Sequence, residues 1–119
     1  MTAPIGSPFT GMLDTLTRQR GVTACLVVSE RDGIVVDQRL QVGVRGDRVA
    51  ALAASLYRKA RLSAEAAGMG AVRFLQLDAA AGRILAVGRG DLALIVVAIP
   101  EANVGSIRMA LLRAAEELT

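Results

Sequence analysis

A chain of 119 residues makes one domain of ordinary size, able to bury about two thirds of its unfolded surface without disulfide or metal staples. Its apolar content of 53% is Ala, Val, Leu and Ile, with aromatic rings only at Phe9, Tyr57 and Phe74, and its net charge of +3 balances 14 basic against 11 acidic residues. With no His and the single Cys25 it builds neither a zinc site nor Ser–His or Cys–His catalysis, and basic residues spread along the chain without stacking aromatics argue against nucleic acid.

In chain order, residues 1–7 read as a flexible segment, and Ser7-Pro8 as the cap and first position of a helix. Phe9, Met12, Leu13 and Leu16 share one face of it, Arg18 and Arg20 fall in its last turn, and Gly21 stops it. The start "MTAPIGSPF" has no basic block followed by an apolar one, so the expected location is the cytoplasm. Val22 to Ser29 is a β-branched apolar run and reads as a strand, with Cys25 as a small core residue. Asp32-Gly33 turns it into a second strand, Ile34 to Leu40.

Arg-Gly-Asp then occurs twice, at Arg45 to Asp47 and at Arg89 to Asp91. The first precedes a long run of good helix formers, so Asp47 is the expected N-cap of a helix over Arg48 to Ala67, ended by Gly68-Met69-Gly70. That glycine pair stops a helix instead of opening one, so it is no nucleotide loop. Ala71 to Asp78, Arg83 to Val87 and Leu92 to Ile99 read as three further strands, and the second Arg-Gly-Asp turns the last hairpin. Both copies are therefore structural punctuation in place of an adhesion signal. The run Leu92 to Ile99 is too short to cross a bilayer. Asn103 is the expected cap of a last helix, Val104 to Leu118, striped by Val104, Ile107, Leu111, Ala114 and Leu118.

The order is αββαβββα. Short connections make it an α+β sandwich: a five-stranded antiparallel sheet with helices on both faces and the fifth strand at its centre, in one domain over residues 1–119.

On a helical wheel of the middle helix, Val49, Ala53, Leu56, Ala60 and Ala67 share the face expected to cover the sheet. The outward face then carries Ala51, Ala54, Ser55, Arg58 and Leu62. Small residues there either reflect alanine's helix propensity or admit a close backbone approach; Leu62 favours contact with another protein. Asp32, Asp37, Asp78 and Asp91 lie mostly at turns, which favours turn chemistry over an acid–base pair, and Arg31, Arg45 and Arg89 are expected to be solvated loop cations in preference to phosphate-reaching fingers. No catalytic, metal or cofactor residue is expected, and alanine-rich packing under the middle helix leaves no roomy ligand pocket or small-molecule substrate site.

"GVTACLVVSERDGIVV" (Gly21 to Val36), "RVAALAASLYRKA" (Arg48 to Ala60), the Gly68-to-Gly70 break and "IPEANVGSIRMALLRAAEEL" (Ile99 to Leu118) together resemble the Roadblock family, most of all its stand-alone bacterial members of the MglB type. The resemblance implies a dimer joined edge to edge through third strands, here Val72, Phe74, Leu75 and Leu77, with the two middle helices side by side. It further implies a bacterial, non-enzymatic platform for a Ras-like small GTPase, acting as an activating protein through the partner's own switch regions. Ala51, Ala54, Ser55, Arg58 and Leu62 would be the contact residues. Neither nucleic-acid binding nor membrane insertion is expected. The alternative is a scaffold subunit, as a homodimer or paired with a different Roadblock chain, with no nucleotide-dependent partner.

Overall fold

The computed structural model describes residues 8–41 and 45–118. Three helices and five strands follow in the order α1 (Thr10–Thr17), β1 (Val22–Ser29), β2 (Val35–Leu40), α2 (Gly46–Ala66), β3 (Leu75–Ala79), β4 (Gly82–Arg89), β5 (Leu92–Ala98) and α3 (Val104–Ala115), closed by a 3₁₀ turn over Glu116–Leu118. The strands form one antiparallel sheet in the order β2-β1-β5-β4-β3. The expected fold class and element order hold, and β5 is central.

Each face of the sheet has its own core. Alternate residues of β1, β4 and β5, among them Cys25, Val27, Leu85, Leu94 and Val96, pack against Leu13 and Leu16 of α1 and Ile107 and Leu111 of α3. The other alternates, Leu26, Val28, Ala86, Ala93 and Ile95, pack against Ala50, Ala53, Ala54 and Tyr57 of α2. Burial on both sides explains why β1 and β5 are apolar without alternation. Of the three hairpins, β1–β2 and β4–β5 turn through Gly33 (φ 73°) and Gly90 (φ 61°), a backbone region only glycine enters freely. Asn103 caps α3 as expected, its Oδ1 accepting from the Ser106 N–H at 3.0 Å.

Several boundaries differ from expectation. Phe9 is the N-cap of α1, and Ser7, the expected cap, lies outside the described residues. The helix ends at Thr17, so Arg18 is its C-cap and Arg20 lies beyond it. The Thr17 hydroxyl bonds back to the Leu13 carbonyl at 2.9 Å, and Gln19 to Val22 then form a separate turn. Asp47 does not cap α2. The helix starts two residues earlier than expected, at Gly46, where a bare backbone can lie against Gln38 and Leu40; a Cβ there would fall 2.8 Å from each side chain. Asp47 sits instead in the first turn, a favourable place for a negative charge.

The third strand starts at Leu75, not at Ala71, so Val72 and Phe74 precede it. The Tyr57 hydroxyl takes the Val72 carbonyl at 3.1 Å, and Arg108 stacks over the Phe74 ring, 4.5 Å from its centroid. Both contacts hold this segment off the strand ladder. The regular part of α3 also stops early, at Ala115, where the chain tightens into the 3₁₀ turn.

Candidate protein-docking surface

Helix α2 buries Gly46, Ala50, Ala53, Ala54 and Tyr57. Its buried face is therefore rotated from the expected one. Ala53 is on it, but Val49, Leu56 and Ala60 are only half-buried and Ala67 is exposed beyond the helix end. Ala54, expected on the outer face, is 3% exposed, and the Cβ that position 33 lacks would lie 3.4 Å from its methyl group. Ala54 is thus core, and it leaves the candidate surface. Ala51, Ser55, Arg58 and Leu62 are all exposed, Leu62 at 52%.

The two flanks of α2 differ. The β1–β2 turn lies along one flank: Gly33 is beside Ala51 and Ala54, and Glu30 meets Arg58 and Arg61. The opposite flank, with Val49, Leu56 and Ala60, looks toward the β4–β3 side of the sheet. On that side β3 ends the sheet with one neighbour, β4, leaving its other edge without a strand partner among the described residues. Leu75 and Leu77 are half-buried in it.

Sequence reasoning missed Glu30 and Arg61. Glu30 follows the last residue of β1, is 9% exposed, and holds three elements together. Its N–H donates to the Asp91 carbonyl at 2.9 Å, tying the β1–β2 turn to the β4–β5 turn. Its carbonyl accepts from Arg58 Nη2 at 3.5 Å, and its carboxylate meets Arg61 Nε at 2.5 Å. The Arg61 N–H does not point along that contact, so charge and not an aligned hydrogen bond joins the pair. Arg61 Nη1 also lies 3.9 Å from Glu65. No single-residue signal marked Glu30; only the juxtaposition of two turns and a helix makes it structural.

Cys25 is fully buried, its Sγ donating to the Leu13 carbonyl at 3.3 Å, and burial pushes its thiol up to about 12. The exposed Asp32 is held below the usual carboxylate range, chiefly by the Ile34 N–H that its Oδ1 accepts at 3.1 Å. That is turn chemistry, as expected for it. Among the described residues no three His, Cys, Asp or Glu side chains converge on a metal position, and no helix is long and apolar enough to cross a membrane. The space under α2 is filled by Ala50, Ala53, Ala54 and Tyr57.

The Roadblock/LC7 domain model matches residues 10–98, three quarters of the chain and all five strands. The chain belongs to the Roadblock/LC7 family. Two uncharacterised proteins of Methanocaldococcus jannaschii, MJ1340 and MJ0310, are 30% and 29% identical to it over 103 residues, covering 87% of this chain and 90% of each relative. Among solved structures, Myxococcus xanthus MglB superposes with a TM-score of 0.84 at 18% identity, covering 95% of this chain and 93% of that one. A Roadblock/LC7 domain from Streptomyces avermitilis superposes at 0.81 with 21% identity, covering 91% and 92%. These identities establish a shared fold. The sequence relatives are archaeal, whereas the structural neighbours named are bacterial.

Proposed function

We propose that this Roadblock/LC7 domain is a non-enzymatic dimeric platform that binds a Ras-like small GTPase and modulates its cycle. Two copies join β3 to β3 about a two-fold axis, which covers the uncovered edge and sets the two α2 helices side by side. Val49, Leu52, Leu56 and Ala60 then line the seam between the helices. The observation that carries the reading is the outer surface of α2. Ala51 and Ser55 give it low relief, and Arg58 and Leu62 supply the charge and apolar area that interfaces favour. The likeness to MglB, and to an MglB with a tetrameric arrangement at a TM-score of 0.83 and 20% identity, supports protein assembly as the mode of action.

The platform donates no catalytic group. Acceleration of hydrolysis comes from preferential binding to one conformation of the partner's switch regions. The test is a pull-down with the purified protein from its native lysate, once with GDP and once with a non-hydrolysable GTP analogue. A small GTPase retained with the GTP form alone is the expected result, and its hydrolysis rate with and without this protein separates activator from effector. Identical partners with both nucleotides, none a GTPase, would replace this reading with that of a scaffold, homodimeric or paired with a second Roadblock chain.

A further inference from the structure

Where α2 passes the β1–β2 and β4–β5 turns, the surface is concave. A cavity of about 250 Å³ opens there, lined by Glu30, Arg31, Arg58, Arg61, Gly90 and Asp91. Three Arg and two carboxylate side chains line it, a formal charge of +1 for the lining; Arg61 is paired with Glu30 and lies 3.9 Å from Glu65. The arrangement is built. Buried Glu30 grips Arg61 through its carboxylate and Arg58 through its carbonyl, and its N–H fixes the Asp91 turn that forms the far wall. Among the described residues Arg58 makes one long side-chain hydrogen bond, 3.5 Å from its Nη2 to the Glu30 carbonyl, which uses one of its five donors. Arg31 is exposed at the rim.

The surroundings separate an interface from a metabolite site. Leu62 follows Arg58 by one helical turn and is 52% exposed; Ile34, beyond Gly33 on the adjoining turn, is 62% exposed. A charged pocket with exposed large apolar side chains on the same helix and the same turn suits a protein surface bearing an acidic side chain among apolar ones. We infer that this pocket receives a carboxylate side chain from an acidic segment of the protein partner, with Arg58 and Arg31 as the direct donors and Glu30 as the residue that positions Arg61. The inference rests on the reading of α2 as the docking surface and gives that surface its charge preference: the partner must present Asp or Glu opposite Arg58. Planar guanidinium groups bind a carboxylate through paired hydrogen bonds, which an ammonium group cannot reproduce.

The first measurement uses the whole ¹⁵N-labelled chain, with backbone and arginine Nε–H resonances followed by NMR while hexaglutamate is added. The expected result is a saturable shift confined to residues 30–31, 58–62 and 90–91, and lost in Arg58→Ser. Equal shifts at the remote exposed residues Arg18, Arg20 and Arg113 would overturn the proposal. So would a saturable response to inorganic phosphate with none to hexaglutamate, which would assign the pocket to a phosphate-bearing small ligand. Retention of the GTPase in the nucleotide-dependent pull-down gives the second readout. Arg31→Ser with Arg58→Ser lowers retention about tenfold if the pocket takes a partner carboxylate. Unchanged retention removes the pocket and leaves the platform standing. If that pull-down yields no GTPase, the platform reading fails, and the hexaglutamate titration alone decides the pocket.

Discussion

The Tyr57 hydroxyl occupies the space that a side chain at Gly88 would need, and it donates to the Val72 carbonyl at 3.1 Å. One phenol thus ties α2 to β4 and to the segment leading into β3. Burial raises its pKa, with the nearby Glu30 charge adding to the effect. Gly88→Ala must displace this ring or the strand beneath it. We expect a loss of about 1–3 kcal/mol, the usual cost of overpacking. Tyr57→Phe keeps the ring and leaves the Val72 carbonyl without its donor, for about 1 kcal/mol. Urea unfolding of both variants checks the order: Gly88→Ala should have the lower midpoint.

The rotation of α2 changes which substitution tests the docking surface. Ala54 is packed under the helix, so Ala54→Arg forces a charge into the apolar core beneath α2 and the chain should fail to fold. Ala51 lies one turn nearer the N-terminus and is exposed. Ala51→Arg should keep the wild-type thermal midpoint within a few degrees and abolish nucleotide-dependent retention of the GTPase. A normally folded Ala54→Arg would mean that the helix lies in a different rotation.

The elements legible in the sequence are those whose signal is local. Val22 to Ser29 is read to the residue, because a β-branched run between turn formers has one reading. Asn103 caps α3 through its own side chain, and Gly33 and Gly90 mark turns through their own backbone freedom. The rotation of α2 is not local. Ala50, Ala51, Ala53 and Ala54 are chemically alike, so an alanine-rich helix carries almost no phase in its sequence. The phase is set from outside, by Tyr57 seated on Gly88 and by the Gly33 turn pressing on Ala54. The start of β3 fails for the same reason, since Val72 and Phe74 alternate like a strand but spend their contacts on Tyr57 and Arg108. Of the proposed surface, Arg58 and Leu62 are visible by exposure on a wheel. Glu30 is not, because its role exists only once two turns meet a helix.

Cys25 gives the fold an alkaline limit. Its thiol is raised from 9.0 to about 12 by burial, so the folded chain keeps a proton that the unfolded chain releases above pH 9. The folded pKa exceeds the unfolded one; stability from this group is therefore complete below pH 9 and falls as pH rises from 9 to about 12. Tyr57, also shifted upward, pulls in the same direction. Urea midpoints at pH 7.5 and pH 10.5 should fall with pH, and Cys25→Ala should fall less steeply than the parent. In the native protein at pH 8, the thiol should react with a disulfide reagent only as fast as the chain opens.

The proposed dimer places Leu52, 48% exposed on α2, at the seam where two helices lie side by side above joined β3 edges. Leu52→Arg adds two like charges across a two-fold axis, one from each copy, and removes apolar area that the seam would bury. Because Leu52 is half exposed and belongs to neither core cluster, the monomer fold should persist. Light scattering should therefore report a species of half the parent mass, with an unchanged far-ultraviolet circular dichroism spectrum. Retention of the GTPase should fall with it, since a platform of two helices cannot form from one. A variant that stays dimeric and keeps its partner would place the seam away from this flank of α2, on β3 alone.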